Sequence, residues 1–505
     1  MESTGDMNRV VEVCRRRAIV FPAAEIYGGL AGFYDYGPVG AALKRKIIDY
    51  WREFFVKEDG NVLEMDGVTV LPEEVFIASG HAGGFTDPIT QCKKCKSMHR
   101  ADHLIEDATG KFVEGYKPGE LSEEIRKGGL KCPKCGGALG RVRVFNLMLS
   151  TEISPVGGQT AYLRPETAQN MFINFKRIFS AMRGRFPLGI AQVGHSFRNE
   201  ISPRQFLVRL REFTQMEIEM FMDPAGMDEC PMWDKYKKTR VVLHTGDTQR
   251  RGIEPVEITA EQALKRGLVP AKYMAYYMAK EMLWYESLGI PKKHLRFRHM
   301  LPEETPHYSK GSFDLEIRFD FGWKETVGNA FRGDYDLTNH TKHSKKDMSI
   351  DVEGHKVVAN VIEPSFGMER TIGGVLLHCY RRGEERGWNW FAFPPRIAPY
   401  TAGIFPLMNK DGLPERAKKI EAALRKEFDV LYDDSGSIGK RYARMDEIGT
   451  PVCITVDYET KKDSTVTVRD RDTTKQRRVK IKDLPRILQA VIGGRKLEMF
   501  GRAVK

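Results

Sequence analysis

Phe197-Arg198-Asn199-Glu200-Ile201-Ser202-Pro203-Arg204, followed at 208–219 by Val-Arg-Leu-Arg-Glu-Phe-Thr-Gln-Met-Glu-Ile-Glu, is the stretch whose geometry decides the fold. Ile190 to Phe197 reads as a strand and Val208 to Phe221 as a second, with Ser202, Pro203, Arg204 and Gln205 as a polar connection. Together they predict an antiparallel hairpin with a long loop. On the second strand Met216, Ile218 and Met220 alternate with Glu217 and Glu219, so both carboxylates share one face and one of them is available to a cleft. Arg198, Asn199 and Glu200 end the first strand, and Arg209, Leu210, Arg211, Glu212 and Phe213 begin the second. Such a hairpin can offer guanidinium forks to phosphate oxygens, a carboxylate to an exocyclic amine and a ring to a purine. Taken alone, this alternation of Arg and Glu is most often a salt-bridged surface strand.

Working outward, Ala41 to Glu58 repeats Leu43, Ile47, Ile48, Trp51, Phe54 and Phe55 at helical spacing, which predicts an amphipathic helix. It runs into Gly60 and a strand over Val62 to Val70 stopped by Pro72. Asp223 to Lys345 is less regular and much of it reads as an insertion, with a helix over 271–288 carrying Met274, Met278, Met282 and Tyr285 on one stripe. A strand at Val357 to Ile362 leads through Glu363-Pro364-Ser365 into a helix from Phe366 to about Tyr380. Ser365 there is placed to cap free backbone N–H groups. Gly373 and Gly374 inside that helix each cost roughly 1 kcal/mol relative to Ala, which predicts close packing on a sheet. After Pro399, strand-like runs at 403–407, 429–432, 452–456 and 465–469 alternate with helix-like runs at 415–428, 438–448 and 484–492, the pattern of a small α/β domain. Lys461 to Lys480 holds eight Lys or Arg against three Asp, a net of +5, and a solvated basic face explains it as readily as a ligand does.

Cys92-Lys-Lys-Cys95 and Cys132-Pro-Lys-Cys135-Gly-Gly have the form in which two pairs of thiolates hold one tetrahedral Zn²⁺. The 36 residues between the pairs exceed the usual ribbon spacing of roughly 15 to 20, so a hairpin or helix must sit between them. Four cysteine ligands leave no position for water, which makes the metal structural. His99 and His103 are close enough in sequence to replace a ligand.

With 505 residues the chain is too long for one core and predicts two or three domains. Hydrophobic residues at 41% and charged residues at 29% are those of a soluble globular protein, and no apolar run is long enough for a membrane span. Met1 to Val20 has neither a continuous apolar stretch nor a cleavage site, so a cytoplasmic location is expected. The formal charge of +12 favours polyanionic partners without choosing among them. Eight cysteines, four of them in the two pairs, suit a reducing compartment.

The hairpin stretch resembles motif 2 of class II aminoacyl-tRNA synthetases, in the glycyl form of that family. YGGLAGFYDYGPVGAALKRKI from Tyr27, YLRPETAQNMFINFKR at 162–177 and VIEPSFGMER at 361–370 are similar to segments of the same family in the same order, so the resemblance covers nearly the whole chain. The helix and strand before Pro72 look like motif 1, usually a dimer element, and Phe366 to Arg370 like motif 3. The resemblance implies an α+β fold: an antiparallel sheet flanked by helices, a zinc-knuckle insertion, a further insertion between motifs 2 and 3, and a C-terminal α/β anticodon-binding domain. The implied divisions are 1–85 with motif 1, 86–145 with the knuckles, 146–222 with motif 2, 223–345 as insertion plus catalytic strands, 346–397 with motif 3, and 398–505 as the anticodon-binding domain.

Carried over residue by residue, the resemblance makes Arg198 and Arg370 the catalytic arginines on ATP, with Arg198 at the α-phosphate. Glu200 becomes the adenine reader and Phe213 its stacking platform, with Asn199, Arg209, Leu210, Glu325 and Thr326 completing the ATP site. Glycine falls to Glu166, Glu217, Glu363 and Ser365, leaving Glu219 structural. The partners implied are ATP with Mg²⁺, glycine, tRNA(Gly) and a second copy of the chain. Rejecting larger amino acids by packing is easier than rejecting smaller ones, and no editing domain is visible. Two rivals stay open on sequence alone: a synthetase-like nucleic-acid-binding factor without catalysis, and a class II synthetase for threonine, proline or serine.

Overall fold

The computed structural model describes residues 7–504 apart from 112, 114, 155–157, 204, 303, 305–308 and 385. Arg204 of the hairpin loop and the first six residues lie outside the described residues.

A nine-stranded mixed sheet forms the centre. In chain order its strands are β1 (Val62–Met65), β2 (Leu188–Phe197), β3 (Glu212–Met222), β4 (Arg240–His244), β5 (Val256–Thr259), β6 (Leu295–His299), β7 (Ser312–Phe319), β8 (Gly322–Gly333) and β9 (Asn360–Gly367). Across the sheet the order is β5-β4-β6-β7-β8-β9-β3-β2-β1. The β1–β2 and β4–β6 pairs are parallel and the others antiparallel. The predicted hairpin is β2 and β3, in continuous register from Leu188 opposite Phe221 to Phe197 opposite Glu212. Met216, Ile218 and Met220 pack into the main core with the helices Pro38–Trp51, Lys272–Ser287 and Met368–Cys379. Phe221 packs on the other face, against the helix Ala168–Ala181. The alternation thus puts Glu217 and Glu219 on the face opposite the main core, as the period of two requires.

The motif 1 helix runs from Pro38 to Trp51 and continues in wider π-type turns over Arg52–Lys57. The single strand expected over Val62 to Val70 is two: β1 joins the main sheet, while Val70–Pro72 pairs with Thr160–Leu163 in a small three-stranded sheet. Between them the Arg164 guanidinium takes the carbonyls of Gly67 and Val68 at 2.9 and 3.3 Å, and these oxygens are then lost to any strand partner. Residues 223–345, expected to hold an insertion plus catalytic strands, supply β4 to β8 of the central sheet. Their helix Lys272–Ser287 is buried on nearly every side rather than on one stripe, because it is wedged behind the sheet inside the main core.

Glu363, Pro364 and Ser365 lie within β9 and not after it. The hydroxyl of Ser365 accepts from Gln215 Nε2 at 3.0 Å, and Gly367 takes the position before the helix, so the capping role does not arise. A Cβ on Gly374 would meet Ile317 of β7 at 2.7 Å, the close helix-to-sheet packing expected of that glycine.

The C-terminal segment folds around its own core, with a six-stranded sheet in the order Val430–Tyr432, Ala402–Pro406, Val452–Val456, Thr465–Asp470, Gln476–Lys480, Arg502–Ala503. Its basic stretch is only partly a basic face. Arg469 is buried on Asp446 at 2.9 and 3.0 Å, Arg471 reaches the carbonyls of Gly449 and Phe393, and Arg478 pairs with Asp457. Lys461, Lys462 and Lys480 remain exposed.

Candidate active site

The open end of the β2–β3 hairpin carries the arginines. Arg198 follows β2 directly, its backbone N–H donating to Arg211 O at 2.9 Å. Its Nε donates to Pro165 O at 3.1 Å, and its guanidinium carbon sits 5.4 Å from the Phe85 ring and 5.3 Å from the Phe213 ring. Two rings and one carbonyl therefore hold one edge of the guanidinium, while its Nη groups have no hydrogen-bond partner among the described residues. Arg370, in the first turn of Met368–Cys379, donates Nε to Val208 O at 2.9 Å and Nη1 to Glu325 O and Oε2 at 2.9 and 2.8 Å. Arg209 Nε lies 3.6 Å from Glu200 Oε2. Burial would raise the Glu325 carboxyl, but Arg370, helped by Arg198 and Arg209, holds it below the usual carboxylate range. Asp314 beside it is pushed well up by burial and by the charges of Glu325 and Glu316.

These groups wall one end of a cavity of about 240 Å³. Its lining includes Arg198, Glu200, Arg209, Leu210, Phe213, Glu325, Thr326 and Arg370, and at the other end Glu166, Glu217, Glu363 and Ser365. Twelve of the thirteen residues expected at ATP and glycine thus converge. Asn199 is the exception: its backbone N–H donates to Leu147 O at 2.6 Å, tying the hairpin to the segment that follows the knuckles.

Strand register explains the carboxylate end. Glu217 on β3 faces Ser365 on β9, and Ala330 on β8 faces Glu363 on β9. The centre of this end is Arg332 of β8, fully buried, which donates to Asp336 at 2.7 and 2.9 Å, bonds Glu363, and lies 3.7 Å from Glu166. Glu166 also receives Gln169 Nε2 at 2.8 Å and stands 3.4 Å from His81. Burial opposes its ionisation, but His81 and Arg332 outweigh that and depress its carboxyl. Glu217 is raised by burial and by the charge of Glu166, with the Ser365 and Thr167 hydroxyls opposing; Thr167 bonds its Oε2, and its Oε1 is buried with no hydrogen bond of good geometry among the described residues. Glu363 is pushed up to about 8, by burial first, with Arg332 opposing and Glu217 and Glu166 adding. Glu219 lies behind the cavity wall, without a hydrogen bond among the described residues, and is raised well above the usual range by burial and by Glu363. The carboxylates outnumber Arg332, so they cannot all be charged, and burial favours the neutral forms of Glu219 and Glu363.

A family model described as an anticodon binding domain matches residues 401–491. A "Glycine--tRNA ligase" of Aeropyrum pernix is 41% identical over 98% of this chain and 99% of its own length. Those of Pyrococcus horikoshii, at 41% identity over 96% of this chain and 98% of theirs, and of Methanothermobacter thermautotrophicus, at 40% over 96% and 99%, are similar to the same extent. The chain belongs to the glycine–tRNA ligases.

For a glycine–tRNA ligase, the residue that sequence reasoning passed over is Arg332. Its only local signal is Asp336 four residues on, a pattern shared with any surface ion pair. Gln215, which fixes Ser365, and Asp314, which faces Glu325 in the cavity, were likewise unmarked.

The knuckles form a separate unit beside the hairpin. Strands Thr86–Gln91, Met98–Arg100 and Arg143–Asn146 make a small sheet, and helices Ala101–Thr109 and Pro118–Lys127 fill the interval between the cysteine pairs, as the spacing requires. The sulfurs of Cys92, Cys95, Cys132 and Cys135 lie within 4.8 Å of one another, with Cys92 to Cys135 at 3.5 Å and Cys95 to Cys132 at 3.7 Å. A tetrahedron of Zn–S bonds near 2.3 Å has edges of about 3.8 Å, so the cluster fits a four-thiolate zinc. His99 Nε2 is 3.3 Å from Cys132 Sγ and 2.9 Å from Ser97 Oγ, beside the four sulfurs rather than in place of one. His103 lies further along, in a neighbouring cleft.

Proposed function

We propose that this chain joins glycine to the 3′ end of tRNA(Gly) in two steps within the one cavity, with ATP at the arginine end and glycine at the carboxylate end. The observation that carries this reading is a single cavity with guanidinium groups at one end and, at the other, a buried carboxylate oxygen, Glu217 Oε1, without a hydrogen bond among the described residues. A zwitterion fits that polarity: its ammonium meets Glu217, Glu363 and Glu166, and its carboxylate points toward the phosphates. The glycine carboxylate oxygen attacks the α-phosphorus and pyrophosphate leaves. The 3′-hydroxyl of the terminal adenosine then attacks the adenylate carbonyl, forming the ester as AMP leaves and the hydroxyl proton is lost. No side chain is a covalent nucleophile; Arg198 and Arg370 hold the charge that spreads over the phosphate oxygens. Glu200 reads the adenine amine and Phe213 stacks on the ring. Gly328, Ala330 and Ser365 of β8 and β9 line the cavity and are assigned the exclusion of a side chain at the α-carbon.

The acidic pair Glu325 and Asp314, mutually repelling without a cation, suits Mg²⁺ arriving with ATP, where the ion would neutralise phosphate charge. Purified protein should exchange pyrophosphate into ATP only when glycine is present; exchange driven by threonine, proline or serine, or none at all, overturns the reading. The pH dependence of glycine binding gives a second check. Neutral Glu363 cannot accept fully from an ammonium group, and with its carboxyl near 8 the ionised form gains as pH rises. The KM for glycine should therefore fall severalfold from about pH 6.5 to about pH 8.5, with the KM for ATP changing less.

The tail, with its exposed Lys461, Lys462 and Lys480, is assigned to the anticodon arm. A cleft of about 310 Å³ between the knuckle unit and the hairpin, lined by His99, His103, Lys131, Ser202 and Arg209, is assigned to the end of the acceptor stem. Cys132→Ser should reduce bound zinc from about one per chain to a small fraction. It should also depress tRNA charging far more than glycine-dependent exchange; equal loss of both would remove the cleft from tRNA binding. A second copy of the chain is assigned to the tip at Ile26 and Tyr27, 89% and 86% exposed, whose loop braces the hairpin through Ala31 O and Gly32 O on Arg211. Sedimentation should find a dimer. Among the described residues no helix is long and apolar enough to cross a membrane.

A further inference from the structure

The helix Lys272–Ser287 carries two adjacent ionisable side chains, Lys280 and Glu281, both fully buried. Lys280 is well provided for. Its Nζ bonds Asp59 Oδ1, lies 3.4 Å from Glu58 Oε2, and has four rings around it, those of Phe54, Phe55, Tyr236 and Tyr276, at 5.2 to 5.4 Å. Glu281 has none of this. Asn329 Nδ2 donates to its Oε2 at 3.0 Å, while Glu281 Oε1 and Asn329 Oδ1 are both buried with no donor among the described residues. Two acceptor oxygens, one on each member of an existing hydrogen-bonded pair, need one donor between them. A carboxyl proton is that donor. An ionised Glu281 would leave both oxygens bare and put an unpaired charge in the core, which is far costlier than keeping the proton.

We infer that Glu281 is held as a neutral carboxylic acid that donates its proton to Asn329 Oδ1 while Asn329 Nδ2 donates back, and that this closed acid–amide pair fixes β8 from behind the glycine site. Burial pushes the Glu281 carboxyl well up and the Asn329 bond alone opposes it. The titratable groups that feel its charge, Tyr277 and Tyr285 on the same helix, are themselves raised by burial and stay neutral. Glu363 belongs to the other face of the sheet, and Lys280 is turned to Asp59. The position matters because Asn329 stands opposite Pro364, with Gly328 opposite Ser365 and Ala330 opposite Glu363. Pro364 brings no N–H to the ladder, so the side-chain tie anchors the strand at the register position flanked by both glycine-site residues. Glu281 is thus a positioning residue, and its role in glycine binding rests on the reading of β9 given above.

Glu281→Gln supplies the same hydrogen-bond pattern without a titratable proton. The unfolded wild-type chain releases the Glu281 proton above its ordinary pKa of about 4.3, whereas the folded chain keeps it. Folding of the wild type should therefore lose about tenfold in equilibrium constant per pH unit relative to Glu281→Gln. The expected result is a gap between the thermal midpoints, variant minus wild type, that widens steadily from about pH 6 to about pH 9. In exchange assays Glu281→Gln should keep the glycine KM within about twofold, and Glu281→Leu, which strands the Asn329 amide, should raise it severalfold without moving the ATP KM. A midpoint gap that is constant or narrows with pH, or a glutamine variant as impaired as the leucine variant, overturns the inference. If the gap widens but exchange shows no dependence on glycine, the proton assignment stands and the reading of the cavity falls.

Discussion

Arg198→Ala is expected to lower glycine-dependent ATP–pyrophosphate exchange by at least about 10²–10³-fold, the scale on which loss of one aligned charge-stabilising group acts. Most of the fall should be in kcat, because the charge on the phosphate oxygens that the guanidinium meets grows as the pyrophosphate leaves. The fold should survive. The side chain makes one hydrogen bond, to Pro165 O, and two ring contacts, to Phe85 and Phe213, of about 0.5–1 kcal/mol each at most for a partly exposed pair. Arg198→Lys separates charge from shape: it keeps the charge but cannot lie flat between two rings and still present a fork, so it should recover only a small part of the rate. Exchange within about tenfold of wild type in the alanine variant, at an unchanged thermal midpoint, would take the α-phosphate away from Arg198.

Much of this was legible in the sequence, for identifiable reasons. The β2–β3 hairpin declares itself through strict alternation, and Glu217 and Glu219 appear on the predicted face because strand period leaves no choice. The cysteine pairs declare a four-thiolate cluster that fits zinc, because thiolate spacing is local chemistry. The roles of Glu166, Glu363 and Arg370, scattered over more than two hundred positions, came from a resemblance to known segments, since no periodicity could have joined them. Where the reading failed, tertiary context had the last word. Phe313, Leu315 and Ile317 alternate in β7 as clearly as any strand here, yet the surrounding irregular segments left the catalytic strands expected within 223–345 without bounds. The methionine stripe of Lys272–Ser287 was real, but a buried helix has no solvent face for a stripe to define. Ser365 looked like a cap because the helix start was placed two residues early, and the true strand gives its hydroxyl to Gln215. Arg471 and Arg478 counted as a basic face although both spend their charge within the fold.

Arg332 left only the weak trace of Asp336 four residues on, and its loss should be the more damaging of the two for the protein as a whole. It is one buried cation among Glu166, Asp336 and Glu363. Removing one partner of such a cluster costs about 3–5 kcal/mol, because carboxylates are left charged and unpaired in the core unless they take up protons. Arg332→Gln should therefore lower the thermal midpoint, raise the glycine KM by tenfold or more, and deepen the loss of stability at alkaline pH. In the wild type Glu166 is held below its unfolded value, so its contribution is present above the unfolded carboxyl pKa and is lost as pH falls through the folded one. Glu363 of the wild type already stands at about 8 with Arg332 opposing its rise, so its contribution to stability is lost as pH climbs to about 8 and no further; without Arg332 its folded carboxyl moves higher still. The variant therefore goes on losing stability above about pH 8, where Glu363 of the wild type has ionised. The midpoint difference, wild type minus variant, should widen on going from about pH 7.5 to about pH 9.5, a range in which Glu166 adds no slope. Arg332→Lys tests whether charge alone suffices. Asp336 takes both of its oxygens to the guanidinium at 2.7 and 2.9 Å while Glu363 uses a third nitrogen, and an ammonium group cannot span that arrangement. The lysine variant should hold the wild-type pH slope but not the wild-type glycine KM, because a point charge calms the carboxylates without fixing where Glu363 points.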